Sequence, residues 1–372
     1  MSQINVDAIR HTSASSDAIT LASNGKCAVT GSTITADTGK FTNLPNRNLI
    51  INGAMNVAQR ATTSTATGYK TVDRIQNDFG GTDEAITQSQ HDLTSSDTGP
   101  WGKGFRHSFH IQNGNQTSGA GATDFVNIHY TLEAQDIVSS GWDYTSSSSK
   151  ATVSFWAKSS VGQTFYGYFR TWDGTAYNYN FPITLSADTW TKITTTIPGN
   201  SNLQIDNDNG LGLSLIIVPF LGTDHTASGV STNSWITYSG SATLPDMTST
   251  WWTTNDATFE ITGLQLEVGD YATDFEHKKY TTEWKDCCRY YYKPAARSDG
   301  NAYLYGCSYH NSWGFIIIDF PNQMRAIPTL TVTDESTTSG YNYATYTTKE
   351  RLQLYMDDID PWVEGATIDA EL

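Results

Sequence analysis

The chain has 372 residues, of which 12% are aromatic and only 16% charged, with a formal net charge of −16. That is length for two or three domains, and aromatics set among Ser, Thr, Asn and Gly suit β-sandwich surfaces better than helical bundles. So acidic a surface argues against nucleic acid and anionic membranes as partners and leaves neutral or cationic surfaces, calcium and glycans.

The first residues, MSQINVDAIR, alternate like a strand and contain no secretory apolar core. No apolar run approaches the roughly 20 residues that span a bilayer. Cys27, Cys287, Cys288 and Cys307 show neither metal-ligand spacing nor a disulfide framework, so they are expected to be reduced structural thiols. A chain made in the cytosol that ends outside the cell without a leader, such as a virion protein, fits these features.

Residues 1–46 carry short β-like pieces, INVDAI, AITLAS, CAVTG and STITAD, with few large apolar residues. A segment with so little to bury does not form a core alone. It is either disordered or ordered by pairing with copies of itself or with another protein.

NRNLIINGAMNVAQR, at 46–60, marks a boundary: Leu49, Ile50 and Ile51 read as a buried strand and Asn52-Gly53 as a turn. Strand-like segments then recur: GFRHSFHI, FVNIHYTL, ATVSFWAK, FYGYFRTW, WTKITTTI, LGLSLIIV and ATFEITGLQLEV. Short strands at this spacing, without βαβ alternation, predict an antiparallel sandwich over 47–276. Inward sets are Val126, Ile128, Tyr130 and Leu132; Val153, Phe155 and Ala157; and Leu211, Leu213 and Leu215.

The segment 257–276, ATFEITGLQLEVGDYATDFE, switches phase in the middle. Phe259 and Ile261 share one face, and Leu264, Leu266 and Val268 resume it after Gly263, a one-residue shift that predicts a β-bulge with the apolar side inward throughout.

HKKYTTEWKDCCRYYY, at 277–292, predicts the one helix, capped by Thr281 or Thr282, with Glu283 in its first turn. Trp284, Cys287, Cys288 and Tyr291 form an apolar stripe, and Pro294 prevents continuation. The stripe faces either the sandwich or symmetry mates around a three-fold axis. Strands return from Ala295, in AYLYGCSYH, WGFIIIDF, LTVTDES, NYATYTT and around Leu352–Met356; the run Ile316, Ile317, Ile318 predicts burial on both faces. The fold class is therefore mainly β: an antiparallel sandwich of jelly-roll type at 47–276, a linker helix at 277–293 and a second β domain at 294–372.

Several segments together resemble phage tail-fibre proteins, especially of marine phages: NLIINGAMNVAQR, VDRI at 72–75, DNDNGLGLSL at 206–215, ATFEITGLQLEVGDYATDFEHKKY, CCRYYYK, FPNQMRAIPTLTV at 320–332 and ATIDAEL. The likeness runs from about Asn46 to the C-terminus and lies in the order and number of the motifs. It implies a virion component located in the phage tail, with residues 1–46 attaching to other tail proteins, a jelly roll similar to carbohydrate-binding modules, and assembly as a homotrimer. The family's helix has a Gly-Glu pair where this chain has Thr281, Thr282 and Glu283. The motifs mark the fold and carry over no catalytic or sugar-binding residue.

No GxSxG, HExxH or phosphate-loop pattern is present, and the reading calls for no enzyme activity and no cofactor. Asp206 and Asp208 sit in IDNDNG, a solvated turn by default, with calcium as the weaker alternative. His107, His110 and His129 read as ordinary polar or packed residues. Trp235, Trp251 and Trp252 read as packed in or beside loops. The aromatic lead is Trp156, directed away from Val153 and Phe155, with Tyr166, Tyr168, Arg170 and Trp172 on one face of the next strand. Exposed rings stack on sugar C–H faces while Arg bonds hydroxyls, which makes these the candidate residues for host surface glycan. The alternatives are that a neighbouring subunit covers this face, or that the strand phase is reversed. At the level of function, the rivals are a virion-associated polysaccharide depolymerase and a purely structural tail connector.

Overall fold

The computed structural model describes strand pieces at 8–9, 19–21 and 27–29, and residues 46–294, 303–310, 313–335, 341–342, 346–357 and 361–372. The chain divides into two compact units, Met1–Leu44 and Pro45–Leu372. In the first, β1 (Ala8–Ile9), β2 (Ile19–Leu21) and β3 (Cys27–Val29) pair in sequence order into an antiparallel sheet. They fall in INVDAI, AITLAS and CAVTG; STITAD lies outside the described residues.

The second unit begins with two six-stranded sheets facing each other. Their strands are β4 (Thr63–Ser64), β5 (Gln76–Gly80), β6 (Thr87–Asp92), β7 (His107–Gln112), β8 (Phe125–Glu133), β9 (Lys150–Ser159), β10 (Gln163–Thr171), β11 (Tyr177–Leu185), β12 (Thr191–Pro198), β13 (Leu211–Leu221), β14 (Trp235–Thr237) and β15 (Thr258–Val268). One sheet runs β14-β11-β10-β13-β8-β5 and the other β12-β9-β15-β7-β6-β4, with antiparallel ladders. This is the expected sandwich of jelly-roll type. Every strand-like segment read between Gly104 and Val268 holds one of its strands.

The predicted inward sets line the core, except Leu211, which is half-buried where the β13–β8 register shifts. The strand β11 was not read from the sequence, although Tyr179, Phe181, Ile183 and Leu185 alternate into the core. Pro182 interrupts that pattern; it is exposed and lies beyond Tyr177–Tyr179, the only part of β11 that β14 pairs. A short helix, α1 (Ala134–Val138), follows β8; Trp251 and Trp252 fill the core from a helical turn, α2 (Thr250–Thr253), and Trp235 of β14 packs against Tyr179 of β11.

The bulge in β15 is where expected. Its register against β9 shifts between Thr262 and Gln265, and Gly263 has φ of 67°. Phe259, Ile261, Leu264 and Leu266 are all buried, but Val268 is 39% exposed, so the apolar side does not stay inward to the strand's end. Gly263 is required twice over, because a Cβ there would also lie 2.6 Å from the Phe105 ring. β7 accompanies β15 only as far as Ile261; beyond the bulge, Leu49 and Leu266, and Leu264 and Gly53, exchange backbone bonds instead. The boundary segment therefore closes the edge that β7 leaves open.

The helix α3 (Tyr280–Cys287) is shorter than the periodicity predicts, and no side chain caps it; its N-cap is Lys279. Tyr291–Tyr292 is instead a strand, β16, paired with the C-terminal strand, so tertiary pairing overrides the helical stripe. Cys287 and Cys288 are buried within the chain.

The rest forms two four-stranded sheets from β17 (Tyr303–Tyr305), β18 (Cys307–His310), β19 (Trp313–Asp319), β20 (Thr329–Glu335), β21 (Tyr341–Asn342), β22 (Arg351–Met356) and β23 (Trp362–Asp369). In one sheet β16 and β17 flank β23, which also pairs β20; the other runs β18-β19-β22-β21. Ile316 is buried and Ile317 is 53% exposed, so β19 has one wet face rather than the two-sided burial its isoleucine run suggested.

The sandwich and the C-terminal sheets meet through buried charge. Arg74 bonds Glu371 and the Thr131 carbonyl, and stacks 3.4 Å from the Tyr290 ring. Arg60 stacks on Tyr291 and reaches Asp369 and Glu371. Glu133 accepts bonds from Arg289 and Tyr290. Arg325 donates to the carbonyls of Asn209, Ala370 and Glu371.

Candidate functional site

On β10, Phe165 and Phe169 are fully buried in the core, so Tyr166, Tyr168 and Arg170 project from the outer side of their sheet, with Trp172 just beyond. That outer side is divided. The residues 222–250 cross half of it and bury Tyr168, Ile216, Val218 and Leu221 against Leu244, with Tyr166 and Met247 packed alongside. Asn178 and Asn180 fasten this crossing by donating to the Thr243 carbonyl at 3.0 Å. Tyr168 is only 7% exposed, so it is a packing residue and not part of an open ring surface. Outward Ile and Val on β13 require such a cover, since leaving them wet forfeits about 1.5–3 kcal/mol each.

The other half is open. Trp172 is 37% exposed and donates its indole N–H to Ser214 Oγ at 2.7 Å. The Arg170 guanidinium lies 4.0 Å from the Trp172 ring centre and 3.8 Å from that of Tyr238. Across the ladders, Arg170 stands opposite Ser214, Ser214 opposite Thr131, His129 opposite Gln76, and Asn127 opposite Asp78. Asp78 accepts from Gln76 and Thr67 and lies 3.8 Å from His129 Nε2. Burial pushes the His129 imidazole below its ordinary pKa; Asp78 opposes this and Arg170 adds to it. Asn127 Oδ1 and Arg170 Nε are buried without a hydrogen-bond partner. This half thus presents an exposed ring and an oriented cation, with the polar side chains of β8 and β5 alongside.

Trp156 does not join the other four. It lies on β9, in the opposite sheet, with the core between. There it lines a cavity of about 290 Å³ with Phe105, Phe275, His277, Lys103 and Lys192. Sequence periodicity gives the phase of each strand but not which sheet it joins.

Beside this cavity the structure assembles a charge cluster that the sequence reading missed. Glu260 Oε1 lies 2.9 Å from Lys158 Nζ, and Oε2 accepts from Ser108 at 2.7 Å and from His91 at 3.2 Å. Lys158 also reaches Asp97, which accepts the Trp190 indole N–H. His110 stacks near His91, with ring centres 5.3 Å apart. Burial works to raise the Glu260 carboxyl, but the bonds from His91, Lys158 and Ser108 outweigh it and hold it at about 2. Asp97 is likewise held at about 2 by Trp190, Thr94 and Lys158 against the effect of burial. The carboxylates are saturated by their own neighbours, so the cluster braces four strands. Its one sequence signal was polar residues recurring on the outward positions of separate strands.

Asp206 and Asp208 are exposed. Asp208 accepts from Gly210 N, and Asp173 accepts from Asp206 N. Among the described residues no group of three His, Cys, Asp or Glu side chains is arranged to hold a metal. Burial pushes the Cys288 thiol up to about 12 and also raises that of Cys287; Cys307 is exposed and free.

No protein-family model matches the chain, and no curated protein matches it. Among solved structures, it is similar to an arabinose-bound α-L-arabinofuranosidase (12% identity, 60% of this chain and 27% of that one, TM-score 0.31). It is also similar to TmCBM61 solved with β-1,4-galactotriose (9%, 60% and 100%, 0.29). A third is a putative sugar-binding protein from Bacteroides thetaiotaomicron (13%, 60% and 100%, 0.28). The chain spans about a quarter of the arabinofuranosidase. At such overlaps these likenesses carry no weight on what this chain binds.

Proposed function

We propose that the chain is a phage tail-fibre protein that attaches to host surface glycan through the open half of the β10 sheet, binding without cleaving it. The observation that carries the glycan reading is the exposed Trp172 beside a guanidinium held between two rings, next to half-buried amide and imidazole groups. An indole offers a flat apolar platform to a pyranose ring, and the planar polar groups around it bond hydroxyls.

The tail-fibre reading is supported by how the quoted motifs come together. Gln59 and Arg60, Asp73 and Arg74, Asn209, Arg289 to Tyr291, Arg325, and Asp369 to Glu371 come from six of those segments and meet at one junction. The resemblance is then one of architecture, a sandwich locked to a C-terminal β domain. Homotrimeric assembly, anchoring through residues 1–46 and location in the virion belong to the same proposal. Single-site contacts of this size are weak, and three copies multiply them by effective concentration.

The test is to incubate the purified full chain with a panel of bacterial surface polysaccharides, reading retention, reducing ends and native mass together. Retention of at least one polysaccharide, lost in Trp172→Ala, with no new reducing ends and a trimer mass, is the expected result. New reducing ends turn the assignment to a depolymerase; a stable monomer removes the fibre assignment.

A further inference from the structure

The arginines whose side chains are described divide sharply. Arg47, Arg60, Arg74, Arg106, Arg289, Arg325 and Arg351 each donate to a carboxylate, hydroxyl or carbonyl oxygen of this chain. Arg170 has rings on its guanidinium and, among the described residues, no acceptor at all. In a chain with 38 acidic residues against 22 basic ones, an unclaimed guanidinium is the exception that needs a cause. Asn178 stands directly across the ladder, yet it turns its amide nitrogen to Asn180 and Thr243 and leaves its own Oδ1 unbonded.

Stacking between Trp172 and Tyr238 fixes the plane of the guanidinium; its Nε is buried, and the two terminal nitrogens are the donors left to a ligand. That is preorganisation: the rotamer freedom of a long side chain is lost in the free protein, before binding. A planar five-donor fork matches a carboxylate, which takes two parallel N–H···O bonds in that plane. A neutral hydroxyl uses one donor at a time and does not need a fork.

We propose that this face selects glycans carrying a carboxylate, the uronic-acid class, with the carboxylate on Arg170 and the sugar ring against Trp172. The inference rests on the glycan reading above and narrows its ligand. The net charge of −16 repels a dense polyanion at long range, so the fitting ligand spaces its carboxylates between neutral sugars.

The experiment compares a set of uronate-containing oligosaccharides with their carboxyl-reduced counterparts and with sulfated neutral ones, using the full chain and its Arg170→Gln, Arg170→Lys and Trp172→Ala variants. The expected result is that a uronate oligosaccharide binds about 10- to 100-fold more tightly than its reduced partner, the worth of one charge-assisted forked pair. Arg170→Gln abolishes that difference, Arg170→Lys keeps only part of it, and Trp172→Ala weakens both ligands, the uronate more, because it removes the sugar platform and also one of the two rings that hold the guanidinium. Unchanged melting temperature in Arg170→Lys guards against a folding artefact. Equal binding of acidic and reduced forms, still sensitive to Trp172→Ala, overturns the carboxylate inference and leaves the glycan reading standing. Sulfated ligands matching the uronates also overturn it, in favour of a general anion fork. No binding to any of the set in the wild-type chain overturns the inference, and with the polysaccharide panel also negative the glycan reading falls too.

Discussion

The guanidinium of Arg74 meets the carboxylate of Glu371, 297 residues further along the chain. Both are buried, and the tail that carries Glu371 is held in place by Arg325 bonds to the Ala370 and Glu371 carbonyls. Removing one partner of a buried pair leaves the other uncompensated. Glu371→Gln is expected to cost about 3–5 kcal/mol in urea unfolding. The double variant Arg74→Met with Glu371→Gln should cost clearly less than the sum of the two single changes. Additive losses would mean that the two residues do not sense each other.

Two tryptophans should separate stability from binding. Trp252 is fully buried, with its ring 5.0 Å from Phe220 and its indole N–H on the Gly119 carbonyl at 2.7 Å. Trp252→Ala is expected to lower stability by about 3–5 kcal/mol. Trp172→Ala is expected to cost about 1–2 kcal/mol, since the ring is partly exposed and what is lost is one hydrogen bond and the stack with Arg170. Thermal melts beside polysaccharide retention check both, and a Trp172→Ala protein that retains glycan normally would place binding elsewhere.

Stability should rise and then fall with pH. Glu260 and Asp97, held at about 2, contribute stability that is present above their ordinary values of about 4 and is lost as pH falls towards 2. Burial pushes Asp73 the other way, up to about 6, against bonds from Gln59. Its contribution is present below about 4 and is lost as pH rises through 6. From these three groups the melting temperature should therefore peak near pH 4 and decline as pH rises towards 6. Asp73→Asn should flatten the alkaline side of that curve and leave the acid side unchanged.

Gly263→Ala places a β-carbon at a φ of 67° and against the Phe105 ring. A loss of about 1–3 kcal/mol is expected from the backbone strain. Near-ultraviolet circular dichroism should report a disturbed environment for Trp156, because Phe105 and Trp156 line the same cavity. An unaltered spectrum and melt would mean that the bulge is not constrained at this residue.

Much of the sandwich was legible because a strand half-buried against a core writes its burial as period two. Val153, Phe155 and Ala157 on β9 show it, as do Val126, Ile128, Tyr130 and Leu132 on β8. Even the bulge could be read, since a one-residue phase slip across Gly263 has one geometric meaning. The β11 strand was missed because Pro182 and the asparagines weaken the pattern, although its inward residues alternate as cleanly as the rest. The α3 helix was drawn too long because a stripe of aromatics does not say whether a helix or a strand pairing buries them.

What the sequence by itself determined was local: which stretches are strands, which way each β10 side chain points, and where the chain slips register. Only the tertiary structure decided that Trp156 and Trp172 occupy opposite sheets, that residues 222–250 cover Tyr168, and that Arg170 has no acceptor among the described residues. Strand phase is set by neighbours one and two residues away. Sheet membership, loop cover and charge pairing are set by contacts between residues tens to hundreds of positions apart, and a linear pattern does not encode which of those contacts closes.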